Sequence, residues 1–99
     1  MAALAEHSNV YDTALKILIK KGFRVWLESK THLYCAEKDG WDFKSDSPCG
    51  LLGLIAIYEF KQPAAFKDYW WREGGPGIYR TLTTEPPEYV PIYDRPADR

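Results

Sequence analysis

Residues 47–60 constrain this chain more than any other stretch. They are apolar on nearly every side of a helical wheel and carry one charge, Glu59, close to their end. A surface helix shows a single apolar stripe, whereas a helix that is apolar all round is wrapped by its neighbours. The run is therefore expected to be a buried central helix. Asp46 or Ser47 can cap its start, and Pro48 fits the first helical position, where no amide hydrogen is needed. Gly50, Gly53 and Ala56 form a small-residue face suited to close approach by another backbone; Leu51, Ile55 and Tyr58 form a neighbouring stripe, with Leu54 beside them. At a rise of ~1.5 Å per residue the helix is about 20 Å long, too short to span a bilayer.

The flanking sequence supplies elements to enclose it. Over residues 9–21, Val10, Ala14, Ile17 and Leu18 recur at helical spacing, widened by Tyr11 and Leu15. Asp12, Lys16 and Lys20 line the opposite side. Ser8 or Asn9 can cap the start, with Asn9 and Asp12 spaced as in a capping box, and Gly22 marks the end. The period then changes to two. Phe23, Val25 and Leu27 alternate with Arg24, Trp26 and Glu28; Ser29, Lys30 and Thr31 turn; residues 32–38 return; Asp39-Gly40 signals a tight hairpin; residues 41–44 follow. The inward set is read as Phe23, Val25, Leu27, Leu33, Cys35, Trp41 and Phe43, with Trp26, Tyr34 and His32 on the other face. A one-residue slip in the middle strand would exchange Tyr34 for Cys35.

After Pro63, the spacing of Phe66, Tyr69 and Trp70 predicts a short third helix over residues 63–71, ended by the glycines at 74, 75 and 77. Beyond it, Pro86, Pro87, Pro91 and Pro96 exclude helix or central strand. The expected fold is α+β: a small three-stranded antiparallel sheet packed on a buried central helix, in the order α-β-β-β-α-α, followed by an extended C-terminal arm. Residues 1–99 are read as a single domain, with a globular body over 8–77 and a Pro-rich arm over 78–99.

Composition narrows the function classes. The net charge is −1 with acids and bases interspersed, so nothing attracts a polyanion and nucleic acid is set aside. Two cysteines outside any Cys-x-x-Cys pair make no disulfide framework, and the first residues lack a basic region followed by an apolar run. A cytoplasmic protein is expected. Cys49, in the first turn of the central helix, is the sharpest candidate nucleophile, since helix-terminal amides favour a thiolate. A small buried apolar residue is the competing reading. His32 and Cys35 point to opposite faces of a strand, and no histidine–cysteine cluster suggests a metal or cofactor. Glu37, Asp39, Asp42 and Asp46 read as a solvated turn, and residues 74–77 as a connector without a P-loop lysine.

Aromatic side chains are the surplus. Four Trp and seven Tyr exceed what so small a core needs, and Trp26, Tyr34, Trp70, Trp71, Tyr89 and Tyr93 are the candidate partner- or ligand-contact residues. No stretch matches a family motif. The first reading is a small non-enzymatic protein-interaction or binding module, a homodimer or a partner for another protein, whose arm adds to a neighbour's sheet edge or exchanges between subunits. A bacterial accessory protein that regulates a partner would fit. The alternative is a receptor for a small aromatic or cationic ligand in a Trp/Tyr-lined cleft; third comes a cysteine-dependent enzyme using Cys49.

Overall fold

The computed structural model describes residues 2–95. The chain divides into one compact unit spanning Glu6–Arg72 and a second made of the residues before Glu6 and after Arg72.

In the larger unit, a 3-10 turn at Ser8–Val10 runs into helix α1, Tyr11–Lys20. Neither Ser8 nor Asn9 caps it, contrary to expectation. The turn brings the Val10 amide to the His7 carbonyl, and no side chain bonds the helix start. Asp12 and Lys16 do pair across one turn at 2.9 Å. At the other end Gly22, at φ +94°, closes a Schellman motif: Phe23 N donates to Leu18 O and Gly22 N to Ile19 O. Lys38 Nζ adds a bond to the Lys21 carbonyl at 2.8 Å.

Strands β1 (Arg24–Leu27), β2 (Tyr34–Lys38) and β3 (Trp41–Ser45) form an antiparallel meander in sequence order. Asp39 and Gly40 both take positive φ, +52° and +86°, as a two-residue hairpin loop of the favoured twist requires. That loop pairs Lys38 with Trp41, and hence Ala36 with Phe43 and Tyr34 with Ser45. Residues opposite each other share a face. The helix-facing layer therefore contains Val25, Ala36 and Phe43, with Tyr34 at its margin. This corrects the expected register: Cys35 faces away from the helices and Tyr34 toward them. Cys35 is nonetheless buried, because Trp26 and Lys44 are its cross-strand neighbours on the open face.

Helix α2 is Pro48–Lys61. Ser47 caps it, its Oγ accepting from the Gly50 amide at 2.9 Å, and Pro48 occupies the first turn. Pro48, Leu51 and Ile55 are its buried stripe, and Leu51 and Ile55 join Leu18, Phe23, Ala36 and Phe43 in the core. The helix is not enclosed all round, as the sequence had suggested. Its opposite side, with Leu54, Ile57 and Phe60, is open to solvent. Three thin strands and one ten-residue helix cover only one side of it. The small-residue face does not receive a backbone either. At Gly50 a Cβ would run into the Ser45 hydroxyl, while at Gly53 it would meet nothing.

The expected helix over residues 63–71 does not form. Gln62, at φ +48°, terminates α2 in the left-handed region, and Pro63 follows it. Two successive turns then occupy the segment, Trp70 N to Lys67 O and Arg72 N to Tyr69 O, with Tyr69 at φ +60°. A nine-residue helix is marginal by itself, and here Phe66 and Trp70 instead reach Trp41.

The smaller unit is extended and proline-rich, as expected, with 3-10 turns at Tyr79–Thr81 and Ile92–Asp94. Within it Ala2 and Ala3 share a small hollow of about 140 Å³ with Tyr89, Pro91, Ile92 and Tyr93.

Candidate functional site

Aromatic rings gather where β3 meets the C-terminal half of α2. Trp41 lies 5.3 Å from Tyr58 and 5.3 Å from Trp70, ring centre to ring centre, and Tyr58 stands edge-on to Trp70, Phe43 and Phe23. Such pairings add to area burial by roughly 0.5–1.5 kcal/mol each. Trp70 is thereby fixed as a post beside β3, and β3 is an edge strand.

A cleft lies on each side of this post. One, of about 350 Å³, is lined by Asp42, Phe43, Lys44, Leu54, Ile57, Trp70 and Trp71. The other, of about 400 Å³, runs past Gly40, Trp41, Ala64, Phe66 and Trp70. The first is the better-built site. Its walls are mainly apolar, and the open side of α2 continues from it, with Ile57 42% and Phe60 71% exposed. Trp71, 49% exposed, stands edge-on to Tyr69, and the Arg72 guanidinium lies 4.3 Å from the centre of the Tyr69 ring.

The six candidate contact residues fall in four places. Trp70 and Trp71 share the first cleft. Tyr34 packs against the core. Trp26 is 46% exposed on the open face of the sheet. Tyr89 and Tyr93 belong to the smaller unit. Leu54, Ile57 and Asp42 were not singled out as contact residues. An all-round apolar helix offers no sequence cue to which side will stay uncovered.

Several charged side chains of the sheet and helices are locally satisfied. Glu28 accepts from the Thr31 hydroxyl at 2.6 Å and pairs with Lys44 at 3.1 Å; these contacts hold its carboxyl below the ordinary range and raise the Lys44 ammonium. The Gly40 amide and Arg24 act likewise on Glu37. Lys21 holds Glu59 at 2.9 Å. Asp42, on the rim of the first cleft, has no ion-pair partner among the described residues.

Cys49 is a half-buried free thiol, and Cys35 is free and buried. Among the described residues no group of three His, Cys, Asp or Glu could hold a metal ion, and no helix is long and apolar enough to cross a membrane. No family model, curated protein or solved structure matches this chain.

Proposed function

We propose that this chain is a small non-enzymatic protein-interaction module that works as a homodimer. One observation carries the reading: the solvent-facing side of α2, with Leu54, Ile57 and Phe60, is apolar and runs into an aromatic-walled cleft. Contiguous apolar surface of this kind marks contact sites. The apolar side chains of residues 78–93, Tyr79, Leu82, Tyr89, Val90 and Ile92 among them, are exposed as well and support the arm as part of the contact. The test is the mass in solution, by light scattering, of the full chain beside a version ending at Gly77. The full chain should be dimeric and the truncation should weaken or dissociate it; two monomers would refute the proposal.

The first cleft also favours a second reading, a receptor for a small aromatic or cationic ligand, because Trp70 and Trp71 line about 350 Å³ of it. Glu28 and Glu59 are engaged by lysines. Thermal shifts and tryptophan fluorescence across a ligand panel separate the readings: a response from the monomeric truncation favours the receptor.

A further inference from the structure

We infer that residues 78–84 of a second copy of this chain add to the outer edge of β3 as a fourth strand, with Tyr79 seated in the cleft between β3, α2 and Trp70–Trp71. The inference rests on the homodimer reading and names its contact.

Three observations carry it. Among the described residues the sheet ends at β3, which has a strand partner on one side, and an unpaired edge is a template for another chain. The occupant is written in the sequence. Residues 78–84, Ile78, Tyr79, Arg80, Thr81, Leu82, Thr83 and Thr84, are free of proline and dense in β-branched and aromatic side chains, between Pro76 and Pro86. Yet within one chain they form no strand. They make one 3-10 turn, in which the Thr81 amide and hydroxyl both donate to the Ile78 carbonyl at 3.0 Å, and Tyr79 is 86% exposed. Opening that turn gives up two bonds, which the ladder with β3 replaces.

Charge fixes the facing. Asp42 on β3 and Arg80 on the arm both lack an ion-pair partner among the described residues. Strand addition that sets Arg80 opposite Asp42 puts Tyr79 and Thr81 on the other side of the new strand. That is the side of Phe43, Leu54 and Ile57, where a cleft of about 350 Å³ accommodates one phenol ring. In a two-fold pair the exchange is reciprocal, so the contact is made twice.

The test uses the full chain. Amide hydrogen exchange is followed through a dilution series while light scattering reports mass. Exchange should slow over Trp41–Ser45 and over residues 78–84 as the dimer forms. Asp42→Arg and Arg80→Asp should each raise the dimer dissociation constant about tenfold, by opposing like charges at two symmetric contacts, and the double swap should recover most of the loss. A dimer that ignores both substitutions, with protection confined to α2, overturns the inference and leaves the homodimer standing. Slowed exchange in a chain that stays monomeric at every concentration overturns the second copy as occupant. A monomer without such protection defeats inference and homodimer together.

Discussion

Glu37 sits at the β2–β3 hairpin, where its Oε2 accepts from the Gly40 amide at 2.9 Å and its Oε1 from Arg24 Nε at 2.8 Å. Both contacts favour the carboxylate, the amide bond most, so its folded pKa lies below the ordinary value of 4.5. The sign follows from linkage: a depressed acid contributes stability that is complete above its unfolded pKa and is lost as pH falls through the folded one. Glu37→Gln should therefore lower stability at neutral pH, where the carboxylate's contribution is complete, and converge on the parent as pH falls below about 4.5, flattening the acid limb read by urea unfolding at several pH values. An unchanged acid limb would mean that these contacts do not persist in solution. The same residues bear on what the sequence disclosed. The Asp39-Gly40 pair already implied that Phe43 opposes Ala36, since a two-residue loop fixes the register. Reading β2 by its own mixed pattern put Cys35 inward; propagating the turn would have put Tyr34 and Ala36 there.

At the scale of elements, α2 shows how local chemistry and packing part company. Its start, Ser47 followed by Pro48, was legible because capping depends on a few adjacent residues. Its buried side was not. Gly50 and Gly53 sit one turn apart on the same helix with opposite surroundings. At Gly50 an added methyl meets the Ser45 hydroxyl and crowds the Ser47 cap; at Gly53 it meets open space. Gly53→Ala should therefore stabilise the fold by about 0.5–1 kcal/mol through helix propensity. Gly50→Ala should lose that gain and destabilise by about 1 kcal/mol as the cap is disturbed. Denaturant unfolding decides between them, and equal signs would contradict the orientation of α2. The segment over residues 63–71 is the converse case. Its aromatic spacing suits a helix, but rings from another element captured Phe66 and Trp70.

For the whole molecule, the core formed by Leu18, Phe23, Ala36, Phe43, Leu51 and Ile55 lies entirely within Glu6–Arg72. A chain ending at Gly77, kept dilute, should therefore retain the near-ultraviolet circular dichroism of the full chain and unfold within about 0.5 kcal/mol of it. A collapse of that signal would show that the residues after Gly77 complete the core. The sequence by itself determined what depends on neighbours in the chain: the α+β class, the antiparallel meander, the turn at Asp39-Gly40, both ends of α2 and the extended proline-rich arm. Tertiary structure alone decided which side of the apolar helix is covered and where the rings of Trp41, Tyr58 and Trp70 meet. Turn and capping preferences act over a few bonds, whereas burial depends on how many surfaces are present to share it. In this body one helix and three short strands leave the outer side of α2 uncovered.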